Sequence, residues 1–266
     1  MQAYAGLPIL TAQPKRPTRL VGIWPLSHEG SVGEYARLAH AAIDELLAEG
    51  KTPVVAGGTG LYLRAAVVDL VLPPAPSPEQ RAHWERVYDR LGGERAHEVL
   101  VERDPEAAAR VHPNDRRRVV RALELTELAA SLRPASDRLW SDEMRHPTVI
   151  VGLGVPRDVL ADRIEQRARA MFAAGVEEEA RRALAGPVSA TAVHALGLRQ
   201  LVELPPEEAF EELVLRTRRY AAYQRKWMRR IPGIAMVDAD RPAGEVADEI
   251  VEMARARQLV RGPRHR

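Results

Sequence analysis

The pattern of apolar and polar positions near the start of the chain alternates between short strands and amphipathic helices. Leu20–Ile23 and Pro53–Ala56 are apolar runs of strand length. Between them lies a helical pattern that begins at Ser31, has Glu34 three residues later as in a capping box, and stops at Gly50. A helix, a glycine and a buried strand in this order are typical of an α/β sheet. The pattern therefore predicts an α/β fold.

The pattern changes at the proline cluster Pro73–Pro78, which is typical of a boundary. From there to about residue 147 the chain shows helical periodicity without a convincing strand. We therefore predict a helical insertion over residues 73–147, between two parts of one core that span residues 1–72 and 148–266.

The remaining pattern returns to alternation of strands and helices. We predict a strand over Thr148–Val155, a long helix that stops at Gly175, another long helix that begins near Pro206, and a last strand over Ile234–Asp238. These elements complete the predicted α/β core.

Composition narrows the class of protein. The chain has 266 residues, of which 45% are apolar and 29% charged, as in a soluble globular protein. No apolar run reaches the ~20 residues of a membrane span, and no export signal opens the chain. Because cysteine is absent, disulfides, thiolate metal sites and thiol catalysis are excluded. We expect a cytoplasmic monomer without a membrane partner.

Arginine dominates the basic residues, since lysine occurs only at positions 15, 51 and 226. A GC-rich genome would explain this bias, and so would a surface that binds phosphate through guanidinium groups. The total charge of +2 does not separate the two explanations.

The stretch Ala56–Gly60, "AGGTG", follows a predicted strand and precedes a predicted helix. Such a glycine turn presents backbone N–H groups to a ligand, and Thr59 adds a hydroxyl. Glycines that are required only for steric reasons are an equally good interpretation.

Two predicted helices carry arginine stripes. Arg117, Arg118 and Arg121 fall within about 100° of each other on a helical wheel, opposite an apolar face. In the predicted long helix, Arg218 is followed by Arg225 and Arg229 at seven and eleven residues, so the three share one stripe. Each stripe suits a polyanion such as pyrophosphate or nucleic acid, although a solvated charged face is the alternative.

Two other motifs are rejected. Gly50-Lys51-Thr52 lacks the earlier glycine of a phosphate-binding loop, because position 45 is Glu45, and it lies between a helix and a strand. The eight histidines show no H-x-x-x-H spacing, so a protein-built zinc site is not expected.

Taken together, the motifs resemble those of the tRNA dimethylallyltransferases (isopentenyl transferases). The matching stretches are "MQAYAGLPILTAQP", "PVVAGGTGLYLRA", "ARVHPNDRRRVVRALEL", "MFAAGVEEEARRAL", "ALGLRQL" and "TRRYAAYQRKW". The resemblance implies a P-loop-kinase-like parallel-sheet core with an inserted helical domain. It also implies transfer of a dimethylallyl group from dimethylallyl diphosphate to N6 of adenosine 37 in tRNA, beside the anticodon, with Mg²⁺ as cofactor.

The resemblance assigns roles to residues of this chain. Thr59 and Arg218 match catalytic positions, where Thr59 would hold the base or the diphosphate and Arg218 would contact the diphosphate. Gln2, the last residue of a D-S-x-Q motif, would grip the target adenine. The implied substrate-binding residues are Gln2, Gly57, Gly58, Thr59 and Arg218. The implied tRNA-binding residues are Met1, Gln2, Thr59, Arg81, Arg117, Arg118 and Arg121.

Three stretches depart from the family pattern. Leu198 and Gln200 stand where the family has Tyr and Glu, and Ala222 and Tyr223 replace two basic residues. The stretch "TRLVGIWPLSHE" lacks the family's paired histidines. These departures put the affinity for phosphate, or the identity of the substrate, in doubt.

The resemblance also implies that family members carry further residues before the point that matches Met1. Those residues hold the first strand, the phosphate-binding P-loop and the general-base Asp, so we expect a transferase represented by an N-terminally truncated chain. A noncatalytic or decayed tRNA-binding homologue is the alternative. Transfer to a free adenine nucleotide is a third possibility, which the arginine-bearing insertion disfavours.

The expectation of a truncated chain is tested by translating the DNA upstream of Met1. We expect in-frame counterparts of "GPTxxGK[ST]" and "DSMQ". A reading frame without either motif would show the expectation to be wrong.

Overall fold

A computed structural model describes residues 1–70, 76–128, 130–131 and 138–260. The chain separates into two compact units, which are Met1–Val68 with Leu139–Arg266, and Asp69–Arg138. The predicted boundary at Pro73 lies outside the described residues.

Eleven α-helices and two strands are assigned in the described ranges. They are α1 (Val32–Ala48), α2 (Gly60–Val67), α3 (Pro78–Leu91), α4 (Gly93–Arg103), α5 (Pro105–Ala108), α6 (Arg116–Glu127), β1 (Val151–Gly154), α7 (Arg157–Ala173), α8 (Val176–Leu184), α9 (Gln200–Glu203), α10 (Pro206–Met228), β2 (Ala235–Asp238) and α11 (Ala243–Val260). None of the helices described is both long and apolar enough to cross a membrane.

The two strands form a parallel pair in the first unit, with a register that runs from Val151 opposite Ala235 to Gly154 opposite Asp238. Parallel strands require a crossover connection, which α7 to α10 provide. The strands predicted over Thr148–Val155 and Ile234–Asp238 are confirmed in shortened form, as is the α/β class.

The other two predicted strands are wrong. In Leu20–Ile23, both Leu20 (φ 64°) and Gly22 (φ 63°) adopt left-handed backbone conformations, which an extended strand does not allow. A single bridge between Tyr4 and Trp24 replaces the strand. Pro53–Ala56 has no assigned ladder, and Val54 is 90% exposed, so this run is not a buried strand.

The predicted start and stop of α1 are confirmed. The Ser31 side chain accepts a hydrogen bond from the Glu34 backbone N–H at 3.1 Å, and Gly50 takes a left-handed φ of 71° after the helix. The Glu34 carboxylate lies 2.8 Å from His28 Nε2, so it binds a side chain of the loop before the helix.

The core of the first unit joins the opening segment of the chain to helices α7 to α10. Leu7 and Leu10 are buried among apolar side chains of these helices. The buried Glu179 of α8 accepts hydrogen bonds from the backbone N–H groups of Ile9 (2.9 Å) and Leu10 (2.8 Å). A carboxylate buried at this position is satisfied by two backbone donors, and it fixes the path of the opening segment.

The second unit has a separate core, in which α3, α4 and α6 pack together. Trp84, Leu100, Val119 and Leu123 are buried there. A capping box at Ser77 begins α3, because Ser77 and Gln80 exchange side-chain and backbone hydrogen bonds.

We predict that Glu179→Ala lowers the free energy of unfolding by about 3 kcal/mol, because it leaves two buried N–H donors without acceptors. Urea denaturation measures the change. The matched control is Glu178→Ala, which removes an exposed neighbour paired with Arg181 and should change stability by less than about 0.5 kcal/mol. Equal losses for the two variants would contradict the assigned role of Glu179.

Candidate functional site

The glycine turn Ala56–Gly60 leads into α2 with Thr59 at the N-cap position. The Thr59 side chain makes no capping hydrogen bond to the helix. Instead, its hydroxyl lies 2.8 Å from the hydroxyl of Tyr220 on α10. Gly57 and Gly58 are exposed, whereas Thr59 is half-buried. The turn is therefore held at Thr59 and open at its glycines.

One face of α10 contacts three successive parts of this turn. Tyr220, Gln224 and Trp227 are spaced by four and three residues, so they share a face of the helix. Gln224 Nε2 donates to the Gly58 carbonyl at 3.0 Å. The Trp227 ring packs directly on Gly60.

The contacts differ among the three glycines of the turn. A Cβ on Gly58 would lie 2.0 Å from Gln224 Nε2, and a Cβ on Gly60 would lie 2.0 Å from Trp227 Cε3. By contrast, a Cβ on Gly57 would meet nothing within 4 Å. The steric interpretation therefore holds for Gly60, which faces the Trp227 ring. At Gly58 only the end of the flexible Gln224 side chain is met, and it can move, whereas the space beside Gly57 is open.

An aromatic cluster supports the far side of Trp227. The rings of Trp140 and Trp227 have centroids 4.8 Å apart, and the Arg230 guanidinium lies 3.7 Å from the Trp140 centroid. The segment that carries Trp140 is held by Arg64 of α2, which is fully buried and donates to the carbonyls of Leu139 (2.8 Å) and Ser141 (2.6 Å). Helix α2 is thereby linked to both ends of the cluster.

Arg218 lies on a different side of α10. Its Nη2 atom is 3.7 Å from Glu165 Oε2 on α7, and its side chain is half-exposed. Arg218 precedes Tyr220 by two residues, which places the two side chains about 200° apart around the helix. The structure therefore brings Thr59 together with Tyr220 and Gln224, and not with Arg218. Contact between Arg218 and a diphosphate stays a prediction.

Gln2 organises the opening loop. Its Nε2 atom donates to the carbonyls of Thr11 (3.0 Å) and Ala12 (2.8 Å), and Ala12 has a left-handed φ of 48°. Gln13 Nε2 donates in turn to the Gln2 carbonyl at 3.1 Å. Met1 and Gln2 are exposed, so their roles toward adenine and tRNA stay predictions.

The arginine stripe of α6 in the second unit contains arginines in different surroundings. Arg121 Nη1 lies 3.0 Å from Glu124 Oε2, and Arg81 of α3 approaches the other oxygen of that buried carboxylate at 3.4 Å. Arg118 is 69% exposed and lies 3.5 Å from Asp115, and Arg117 is also exposed. The apolar face opposite the stripe is buried as predicted. Contact of these arginines with tRNA stays a prediction.

Two departures from the family pattern have distinct positions. Leu198 is fully buried in the core of the first unit. Gln200 lines a cavity of about 610 Å³ together with His194, Arg199 and Arg216. Leu198 therefore acts in packing, whereas Gln200 faces open space.

Within the described ranges, no group of three or more histidine, aspartate or glutamate side chains could hold a metal ion. The Mg²⁺ that the resemblance implies is therefore not assigned to a cluster of these side chains, and its binding stays a prediction.

The sequence interpretation missed Tyr220 and Gln224 as parts of the site. Their spacing of four residues, followed by Trp227, marks one helical face and was visible in the sequence. Nothing in that spacing shows which turn the face contacts. Together with Thr59 the two side chains give a fixed hydroxyl beside exposed backbone N–H groups, an arrangement that suits an anionic oxygen.

Comparison with known proteins identifies similar chains. The family model described as "IPP transferase" matches residues 2–231. A tRNA dimethylallyltransferase of Corynebacterium jeikeium is 38% identical over 255 residues, which is 91% of this chain and 82% of that protein. The enzyme of the same name from Thermobifida fusca is 38% identical over 91% of this chain and 79% of its own length.

Solved structures agree with these matches. The tRNA isopentenylpyrophosphate transferase of Bacillus halodurans is 30% identical, with a TM-score of 0.67, over 96% of this chain and 85% of that one. A eukaryotic dimethylallyltransferase acting on tRNA shares the fold at 23% identity, with a TM-score of 0.72, over 96% of this chain and 71% of that one. The predicted family resemblance and fold class are confirmed.

We predict that Gly60→Ala lowers the free energy of unfolding by about 1–3 kcal/mol, because the new methyl group overlaps the Trp227 ring. Gly57→Ala is the matched control and should stay within about 0.5 kcal/mol of the parent chain, since its Cβ meets open space. Urea unfolding followed by tryptophan fluorescence measures both. Indistinguishable stabilities would show that α10 does not pack on the turn as described.

Proposed function

This chain belongs to the IPP transferase family, and we propose that it transfers a dimethylallyl group from dimethylallyl diphosphate to N6 of adenosine 37 in tRNA. The observation that carries the proposal is the Thr59 turn, which is anchored on α10 and open at Gly57 and Gly58. The noncatalytic alternative is not favoured, because the similar proteins are named as transferases.

The turn suits the diphosphate of the donor substrate. Exposed backbone N–H groups at a glycine turn before a helix favour phosphate oxygens, and the Thr59 hydroxyl adds one more donor. Negative charge grows on the leaving diphosphate as its bond to the dimethylallyl carbon breaks. Donors that are already oriented stabilise that charge more in the transition state than in the ground state.

Mg²⁺ is proposed to accompany the diphosphate. Mg²⁺ in phosphate sites usually keeps several water ligands, and the substrate's phosphate oxygens supply others. Such an ion needs no dedicated cage, and its contribution is to neutralise charge on the diphosphate.

The helical unit is proposed to contact the phosphates of tRNA. Glu124 lies between Arg81 and Arg121 and contacts both guanidinium groups. Arg117 and Arg118 extend the basic surface along α6 and are exposed. Guanidinium groups bind phosphate bidentately, and such contacts hold a nucleic acid without reading its sequence.

We also propose that the protein acts as a monomer in the cytoplasm. Its tRNA substrate is present there, and its cysteine-free composition is compatible with a reducing compartment.

We predict that protein purified from the full reading frame, with any residues encoded before Met1, forms isopentenyladenosine at position 37 when it is incubated with tRNA, Mg²⁺ and dimethylallyl diphosphate. Mass spectrometry of nucleosides and of nuclease fragments measures the product and its position. A tRNA with guanosine at position 37 is the substrate control. A folded protein that binds tRNA but yields no isopentenyladenosine would contradict the proposed transfer.

We predict that Arg118→Ala reduces the slope of log K against log salt for binding an anticodon stem-loop by about 1, because one phosphate contact is lost. Arg255→Ala is the matched control, since Arg255 is 66% exposed and also pairs with an acidic residue three positions away. Fluorescence anisotropy at several salt concentrations gives the slopes. If both variants behave like the parent chain, α6 does not contact tRNA through Arg118.

A further inference from the structure

We propose that Tyr220 is a positioning residue that donates its phenolic hydrogen to Thr59 Oγ1, so that the hydrogen of Thr59 is directed at an oxygen of the diphosphate. The inference rests on the proposed function and adds a residue to it. It starts from the distance of 2.8 Å between the two hydroxyl oxygens.

The first step concerns the Thr59 hydroxyl. At an N-cap a threonine oxygen ordinarily accepts a hydrogen bond from a backbone N–H of the first helical turn. Thr59 makes no such bond, although it occupies the N-cap position of α2. Its oxygen is hydrogen-bonded to the hydroxyl of Tyr220 instead. This bond joins two distant parts of the chain and does not cap the helix.

The second step concerns the direction of the bond. Each hydroxyl has one hydrogen and two acceptor lone pairs, so either group could donate. A phenol is the stronger donor of the two and an aliphatic alcohol is the better acceptor. Donation from Tyr220 to Thr59 is therefore favoured, and it leaves the Thr59 hydrogen for a third group. Chains of hydrogen bonds polarise one another, so Thr59 becomes a better donor to that group.

The third step concerns the rigidity of Tyr220. Gln224 and Trp227 lie on the same face of α10 and contact Gly58 and Gly60, on either side of Thr59. The phenol is therefore held between two other contacts with the same turn. A donor fixed in this way does not have to reorient when negative charge develops on the leaving group. It therefore stabilises the transition state more than the bound substrate, and its loss should lower kcat.

The test is steady-state kinetics of Tyr220→Phe, which removes the hydroxyl and keeps the ring. We expect kcat to fall about tenfold, with KM for tRNA unchanged within about twofold. The matched control is Tyr223→Phe, on the same helix, half-exposed and with its ring centroid 6.1 Å from that of Trp227 in an edge-on arrangement. The control should retain the parent kcat. A Tyr220→Phe enzyme with the parent kcat, or with a loss equal to that of Tyr223→Phe, would overturn the proposal.

A double-mutant cycle separates action through Thr59 from a structural effect. In a Thr59→Val background, Tyr220→Phe should cause no further loss, because the hydroxyl through which Tyr220 acts is gone. In a Thr59→Ser background, which keeps a hydroxyl, the tenfold loss should return. Independent, multiplicative losses in the valine background would overturn the proposal. Circular dichroism and thermal melting of each variant confirm that the folded proteins are compared.

Measuring pyrophosphate binding tests the role of Tyr220 separately from the proposed transfer reaction. Calorimetric titration with inorganic pyrophosphate and Mg²⁺ requires no turnover. We expect Tyr220→Phe and Thr59→Val to weaken pyrophosphate binding severalfold, and the double variant to equal Thr59→Val. If the parent chain binds pyrophosphate in this pattern but forms no isopentenyladenosine, the transfer proposal fails and the Tyr220 inference stands. If Tyr220→Phe leaves both pyrophosphate affinity and kcat unchanged, the Tyr220 inference fails.

Discussion

Helix α10 approaches the Ala56–Gly60 turn so closely that one methyl group on Gly60 would overlap the Trp227 ring. This close packing lets Tyr220 reach Thr59 and lets Gln224 reach the Gly58 carbonyl. On the other side of Trp227, Trp140 and the buried Arg64 fix the same region to α2. A hydroxyl and several N–H groups are thereby held in place before any ligand arrives, which is the condition for electrostatic stabilisation of a developing anion.

Buried carboxylates organise two other parts of the chain, one in each compact unit. Glu179 binds two backbone N–H groups and holds the opening segment, from which Gln2 closes its loop. In the helical unit, Glu124 holds arginines from α3 and α6 together. Both glutamates cost desolvation, and each is compensated by donors that the fold brings from distant positions in sequence.

Features that depend on local sequence could be predicted. The cap at Ser31, the stop at Gly50 and the strands at β1 and β2 follow from local patterns. The catalytic role that the family motifs assign to Thr59 stays a prediction. Leu20–Ile23 was wrongly predicted as a strand, because composition does not show that Leu20 and Gly22 adopt positive φ. The Thr59–Tyr220 bond joins residues that are 161 positions apart, and the pairing of Glu179 with Ile9 joins residues 170 apart. Periodicity identifies the faces of the helices, but only the tertiary structure shows which faces meet.

The central claim is that the turn held by α10 receives the diphosphate. A crystal structure of the full chain with inorganic pyrophosphate and Mg²⁺ tests it most directly. The account predicts density for pyrophosphate within hydrogen-bonding distance of the Thr59 hydroxyl and the N–H groups of Gly57 and Gly58, with the Tyr220–Thr59 bond retained. Ordered pyrophosphate bound elsewhere, with the space beside Gly57 filled only by water, would contradict the account.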